Sequence, residues 1–231
     1  MLLIINLYAK RNADKIWDYI VSNVKCHASK TVRPLYVSQI DGKNYISIIF
    51  DIQQINDIVR FLIDQIGGCD EIAKSRTFTL IKPVFLPIPR ERTEGLGKFS
   101  IALKVEPKYY HDVYNELLEY RYGTEAFPTY ISYSLGETDI LMEMFAENFE
   151  SVKNFVSDKI CMMEGVTEYS IDLINRTQLI AEKERWRRLQ KSLLHIPSWL
   201  ASEDLRGRYL YDYELSVEDY ARLTGAMVDE L

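Results

Sequence analysis

The chain has 231 residues, of which 47% are hydrophobic and 27% charged, and its formal net charge at pH 7 is −6. This composition is typical of a soluble globular protein. No apolar run approaches the roughly 20 residues of a membrane-spanning helix, and no signal-peptide pattern opens the chain, so we predict a cytoplasmic protein without membrane association. Neither the acidic segment after Ser202 nor the nearly neutral remainder indicates direct binding of nucleic acid.

The same pattern of predicted elements occurs twice along the chain. Gly42 matches Gly136 and Phe61 matches Phe155, each at a spacing of 94 residues. A period of this length indicates a duplicated domain and not a solenoid. We predict a first ferredoxin-like repeat over 1–82, a Pro/Gly linker over 83–97, a second repeat over 98–178 and a C-terminal extension over 179–231.

The first repeat begins with an apolar strand over residues 2–8. Apolar residues then recur every four positions at Ile16, Ile20 and Val24, which predicts a helix with one buried face. Gly42 is expected to form a hairpin turn before the next apolar strand, since glycine reaches positive φ at little steric cost. A second helix is predicted over 55–66, and a last strand follows it.

A proline-rich segment, Pro83 to Pro89, separates the repeats and predicts an extended connection. The second repeat then follows the same plan, with strands predicted over 99–105, 130–135, 140–145 and 167–174 and helices over 109–120 and 149–160. The order β-α-β-β-α-β predicts a split βαβ unit in each copy. The fold class is therefore α+β: two tandem ferredoxin-like βαββαβ units of the dimeric α+β barrel type, plus a C-terminal helical extension.

The C-terminal extension is predicted to contain helices over 179–194 and 217–228, and the alternation of Tyr209, Tyr211 and Tyr213 favours an extended segment between them. The first of these helices is basic and carries apolar residues on one side. It either docks through its apolar side with its charges in water or contacts nucleic acid through its arginines; the acidic tail argues against the second alternative.

The second repeat contains Ser134-Leu-Gly-Glu-Thr-Asp-Ile-Leu141 and, after a helix, Glu164-Gly-Val-Thr167. These segments resemble the effector-binding (RAM) domain of the leucine-responsive/asparagine regulator family (Lrp/AsnC). The first repeat departs from the motif, because Tyr45 stands where Asp139 stands. Strand one begins at Leu2, where family members usually have a helix-turn-helix. The resemblance thus implies a stand-alone regulatory module that senses a small amino-acid-like effector, forms homo-oligomers and affects transcription through a DNA-binding regulator protein as its partner.

The turn at Gly136, Thr138 and Asp139 is the candidate ligand-binding site. Backbone amides at a glycine turn can receive a carboxylate, and Asp139 can pair with an α-ammonium group. The alternative is that Gly136 only makes the hairpin and Asp139 satisfies turn amides through its side chain. Both interpretations stay open at this point.

The sequence shows few signs of catalysis. The three histidines, His27, His111 and His195, have no metal-ligand spacing, and no nucleophile motif is present. We therefore predict a protein that is not an enzyme and has no catalytic residues, no metal and no cofactor. The alternative function is an enzyme of the dimeric α+β barrel type, either a small oxygenase or a haem-binding protein, for which His111 is the candidate in the second repeat.

Overall fold

The computed structural model describes residues 1–25, 29–89 and 95–200, and the backbone of 209–210. In this part the chain folds as two compact units. Unit 1 consists of 1–80 and 174–188; unit 2 consists of 81–173 and 189–200 together with the strand at 209–210. The boundaries between the units fall within two long strands, each of which contributes residues to both units. The domain limits predicted from the sequence stay a prediction.

Unit 1 has the predicted βαββαβ order. Its elements are β1 (Leu2–Ala9), α1 (Ala13–Asn23), β2 (Val32–Ile40), β3 (Tyr45–Ile52), α2 (Asn56–Phe61) with a π-helical continuation (Leu62–Ile66), and the start of β4 (Ile72–Phe85). The sheet order is β4-β1-β3-β2, and the end of β9 (Val166–Leu179) adds a strand beside β2. All of these pairings are antiparallel.

Side chains alternate between the two faces of the strands in unit 1, and the helices cover one of these faces. Leu3, Ile5 and Leu7 of β1 point to one face, where they pack with Ile16 and Ile20 of α1 in a core of buried apolar residues. Their neighbours in sequence point to the opposite face because the side-chain period of a strand is two. The turn before β3 has Gly42 at φ 66° in open space, as predicted.

Unit 2 repeats this order. Its elements are β5 (Ile88–Pro89), β6 (Gly97–Val105), a 3₁₀ turn (Pro107–Tyr109), α3 (Tyr110–Glu119), β7 (Ala126–Leu135), β8 (Ile140–Ala146), α4 (Phe149–Asp158), a 3₁₀ turn (Ile160–Met162) and the first part of β9. The sheet order is β9-β6-β8-β7, with the end of β4 beside β7. Phe99, Ile101 and Leu103 face α3 and α4 in a second buried core.

The C-terminal part begins with α5 (Lys183–Ser192), followed by a 3₁₀ turn (Ser198–Leu200) and β10 (Tyr209–Leu210), which pairs with β5. β9 continues through Leu179, so the predicted helix over 179–194 begins later than expected. The predicted helix over 217–228, and Tyr211 and Tyr213 of the predicted extended segment, lie outside the described residues.

The predicted fold class, α+β with two tandem ferredoxin-like repeats and a helix after them, is confirmed. Within the predicted linker, Pro83 to Phe85 are the end of β4 and Ile88–Pro89 form β5. Prolines lack an amide donor but can end a strand where that donor is not needed. No helix in the described ranges is long and apolar enough to cross a membrane.

Candidate functional site

The face of the unit 2 sheet that is turned away from α3 and α4 carries a group of polar side chains. Its members alternate with core residues along β6, β7 and β8. They are Lys98, Tyr130, Ser132, Ser134 and Glu143. Within the sheet, Glu143 lies directly opposite Tyr130 on β7 and opposite Ser100 on β6, so the polar side chains occupy adjoining positions. We call this group the unit 2 polar face.

An ion pair lies at the centre of the unit 2 polar face. Lys98 Nζ is 2.8 Å from Glu143 Oε2, and the exposed fractions of the two side chains are 9% and 18%. Taking two charges out of water costs free energy that their attraction only partly returns. A buried pair of this kind is therefore weak evidence for a stabilising role, and it places a proton donor and a proton acceptor in a site that excludes most water.

Two hydroxyl groups on the same face are buried and make no hydrogen bond within the described ranges. They belong to Tyr130, which is 6% exposed, and Ser134, which is 5% exposed. The Tyr130 ring packs against Phe85, with ring centroids 5.2 Å apart. A buried hydroxyl without a partner costs free energy, so its presence calls for a ligand, a bound water or a catalytic role.

The protonation state of Tyr130 follows from its surroundings. Burial, first of all, and then the charge of Glu143 raise the pKa of the Tyr130 phenol well above its usual range, although the nearby Ser132 hydroxyl lowers it. The phenol is therefore protonated at neutral pH and can donate its proton to a hydrogen-bond acceptor. A buried donor beside a carboxylate is a suitable arrangement for general acid–base chemistry.

The structure places the sequence-predicted site residues on the turn between β7 and β8. Asp139 Oδ2 accepts a hydrogen bond from the Val105 amide at 2.9 Å, and its Oδ1 accepts one from the Tyr110 hydroxyl at 2.6 Å. The bond to Asp139 raises the pKa of Tyr110. Both carboxylate oxygens are thus used inside unit 2.

Gly136 and Thr138 adjoin Asp139 on this turn. Gly136 is exposed, and the Thr138 hydroxyl is buried without a hydrogen-bond partner among the described residues. The geometry of Asp139 is that of a side chain that ties the turn to β6 and α3. A ligand-binding role for Gly136, Thr138 and Asp139 stays a prediction.

The described histidines do not fit a histidine-ligated haem on the unit 2 polar face. His111 is exposed on α3, where its Nε2 lies 3.0 Å from Asn115 Nδ2. His195 lies 3.0 Å from the Glu119 carboxylate, and His27 lies outside the described residues. Within the described ranges no group of three His, Cys, Asp or Glu side chains could hold a metal ion.

Sequence reasoning missed the residues of the unit 2 polar face. The sequence did contain a signal, which is a single charged residue in an otherwise apolar strand. Lys98 precedes the mostly apolar residues 99–103, and Glu143 lies between Met142 and Met144. Strand alternation assigns such residues to the face opposite the core, which in most antiparallel sheets is solvated. Their burial could not be inferred from the sequence.

Comparisons with known proteins identify the fold and no family. No family model matches the chain, and no curated protein matches its sequence. Several solved structures match in fold. The siroheme decarboxylase NirDL matches with a TM-score of 0.53 at 8% identity, over 84% of this chain and 78% of that chain. The same enzyme in a co-complex with an iron-uroporphyrin III analogue matches with a TM-score of 0.51 at 9% identity, over 83% and 79%.

An anthrone oxidase-like protein also matches, with a TM-score of 0.47 at 10% identity, over 79% of this chain and 94% of that chain. The two matched structures with TM-scores above 0.5 are both of an enzyme, the siroheme decarboxylase. They contradict the function predicted from the sequence. The prediction of a regulatory module that is not an enzyme is wrong, and the alternative prediction, an enzyme, is better supported. The resemblance to the Lrp/AsnC effector-binding domain, the homo-oligomer, the regulator partner and the cytoplasmic location stay predictions.

Proposed function

We propose that this chain is an enzyme of the dimeric α+β barrel type that performs proton-transfer chemistry at the unit 2 polar face. The observation that carries the proposal is the buried Lys98–Glu143 pair beside Tyr130, whose buried hydroxyl forms no hydrogen bond within the described ranges. A purely structural sheet face would gain stability from apolar side chains at these positions. Their presence is explained if the groups act on a bound substrate.

The substrate class that we propose is a tetrapyrrole carboxylate, and the proposed reaction is decarboxylation. Support for both comes from the two matched structures with TM-scores above 0.5, which are of a siroheme decarboxylase, once with an iron-uroporphyrin III analogue. In a decarboxylation the bond between the carboxylate carbon and its neighbouring carbon breaks, CO₂ leaves, and the electron pair that remains on the neighbouring carbon takes up a proton. The reaction is redox-neutral and needs one proton donor.

Three residues of the unit 2 polar face have a role in this scheme. Tyr130 is the donor of the proton, because its protonated hydroxyl is buried on this face directly opposite Glu143. Glu143, its neighbour on β8, holds negative charge beside the phenol. Lys98 balances that charge and supplies an ammonium group for a substrate carboxylate. The low exposure of all three side chains keeps water out, and exclusion of water strengthens these electrostatic interactions.

Iron-uroporphyrin III is the probe that tests the proposal. Its absorption spectrum should change on titration with the purified chain, and incubation should yield products lighter by the mass of CO₂. Lys98→Met and Glu143→Gln should each slow product formation by roughly 100-fold or more, the usual range for loss of a general acid–base group or its partner. Lys104→Met is the matched control, since Lys104 lies on the same strand and its side chain is 48% exposed in a pair with Glu168.

The result that contradicts the proposal is a spectral change without any lighter product, or product formation that is unaffected by Lys98→Met and Glu143→Gln. Absence of both binding and product would remove the tetrapyrrole as the substrate class.

A further inference from the structure

Unit 1 carries a different polar group on the corresponding face of its own sheet. Five polar residues form one continuous row across its strands, each directly opposite the next in the antiparallel register. From one edge to the other they are Thr177, Ser38, Ser47, Asn6 and Arg76. Each alternates with apolar residues such as Ile5, Val37 and Ile46 that point into the core on the other face. At the usual strand spacing of about 4.8 Å the row spans roughly 19 Å.

Burial of the row increases toward β2 and β9. Ser38 is 4% exposed and Thr177 is 3% exposed, whereas Arg76 at the opposite edge is exposed. In the middle, the Ser47 hydroxyl donates to Asn6 Oδ1 at 2.6 Å, which leaves the Asn6 amide nitrogen oriented as a donor on the side away from Ser47.

An aromatic platform lies beside this row on the same face. Tyr8 and Tyr45 face each other across β1 and β3, with ring centroids 5.0 Å apart. Lys74 Nζ lies 4.8 Å and the Arg76 guanidinium carbon 5.5 Å from the Tyr8 ring centroid. Because both cations lie over the Tyr8 ring, a ligand ring that packs beside the two tyrosines would have its negative charge close to them.

The two repeats differ in the chemistry of these faces. Asn6 of unit 1 corresponds to Ser100 of unit 2 at the 94-residue spacing. In unit 2 the neighbours of Ser100 in the sheet are Glu143 and then Tyr130; in unit 1 the neighbours of Asn6 are Ser47 and Ser38. The row in unit 1 thus offers hydrogen-bond donors and a cation but no carboxylate, which suits recognition of an anion and not proton transfer.

We propose that this face of unit 1 is a binding site for an aromatic carboxylate. The carboxylate accepts hydrogen bonds from Arg76 and from the Asn6 amide, and the aromatic ring packs against Tyr8 and Tyr45. This inference does not depend on the reaction proposed for unit 2. It concerns other residues, and it is tested by the affinity for a ligand and not by a reaction rate.

The test is isothermal titration of the intact chain with 2-naphthoate. We expect saturable binding to the wild-type chain and an increase in Kd of about tenfold or more in Arg76→Gln and in Asn6→Ala, since each removes a donor to the carboxylate. Arg60→Gln is the matched control for charge, because Arg60 is an exposed arginine of the same unit that pairs with Asp64 on α2. It should leave Kd unchanged. Circular dichroism checks that each variant is folded. If Asn6→Ala does not fold, the inference is tested by Arg76→Gln, because position 76 is exposed.

Tyr130→Phe separates this inference from the proposed function. Its affinity for 2-naphthoate should equal that of the wild-type chain, because Tyr130 belongs to unit 2. No binding to the wild-type chain at millimolar concentration, equal Kd values in Arg76→Gln and the wild type, or loss of binding in Tyr130→Phe would each overturn the inference. None of these results bears on whether iron-uroporphyrin III is decarboxylated.

Discussion

Lys98 on β6 and Glu143 on β8 form a buried ion pair, with 2.8 Å between Nζ and Oε2. Replacing only one of them leaves an uncompensated charge in a poorly solvated place. We therefore predict that Lys98→Met lowers the free energy of unfolding by about 3 kcal/mol, and that Lys98→Met/Glu143→Met lies within about 1 kcal/mol of the wild type. Urea unfolding measures both values. A double variant as unstable as the single one would show that the pair itself stabilises the fold.

Asp139 ties the β7–β8 turn to β6 through Val105 and to α3 through Tyr110. Asp139→Ala should lower the free energy of unfolding by about 3 kcal/mol, because it leaves the buried Val105 amide without its acceptor. Asp139→Asn keeps one acceptor oxygen and should cost less. Thermal unfolding of the two variants checks the order; an Asp139→Ala variant as stable as the wild type would contradict the structural role.

Gly165 has φ 93°, and a Cβ built on it would lie 2.3 Å from Cδ2 of the Tyr109 ring. Gly165→Ala therefore combines backbone strain with a steric clash and should destabilise the chain by about 3 kcal/mol. Gly42 has φ 66° and open space around it, so Gly42→Ala should cost only about 1 kcal/mol. Denaturant unfolding compares the two, and equal costs would mean that the Tyr109 ring moves aside freely.

Glu119 at the end of α3 holds the segment after α5. It accepts hydrogen bonds from the Ser198 amide at 2.7 Å and from the Ser198 hydroxyl at 2.5 Å, and it lies 3.0 Å from His195 Nε2. The Ser198 hydroxyl, first of all, lowers the pKa of Glu119 despite the opposing effect of desolvation; the Ser198 amide and His195 also lower it.

Because the pKa of Glu119 is lower in the folded state, its contribution is present at neutral pH and is lost as the pH falls below the usual glutamate value of about 4. The difference in Tm between the wild type and Glu119→Gln should thus shrink between neutral pH and about pH 3. Calorimetry at both pH values measures this difference. A difference independent of pH would show that the Glu119 charge is not involved.

Much of the fold could be predicted from the sequence, because it depends on local patterns. The four-residue period of Ile16, Ile20 and Val24 reflects the buried face of a helix, and Gly42 marks a turn that needs positive φ. The end of β4 was missed because the prolines at 83 and 87 suggested a connection. β9 was predicted to end at 174, since nothing in the sequence after it distinguishes strand from helix.

The candidate site was less predictable than the fold. Lys98, Tyr130 and Glu143 come from three strands, and only the antiparallel register brings them together. Alternation predicts the face on which each side chain lies but not whether that face is buried. The residues that the sequence did single out, Gly136 to Asp139, belong to one turn, where a local motif is visible without tertiary structure.

The most direct test of the proposed enzyme compares Tyr130→Phe with Tyr133→Phe, two substitutions that remove a hydroxyl from opposite faces of β7. Tyr133 stacks on Tyr114, with ring centroids 4.0 Å apart. Removal of the unpaired Tyr130 hydroxyl should leave the free energy of unfolding unchanged or raise it by about 1 kcal/mol. The rate of CO₂ release from iron-uroporphyrin III should fall by roughly 100-fold or more in Tyr130→Phe and stay at the wild-type value in Tyr133→Phe. Equal rates in Tyr130→Phe and the wild type would contradict the assignment of Tyr130 as the proton donor, and with it the proposed site.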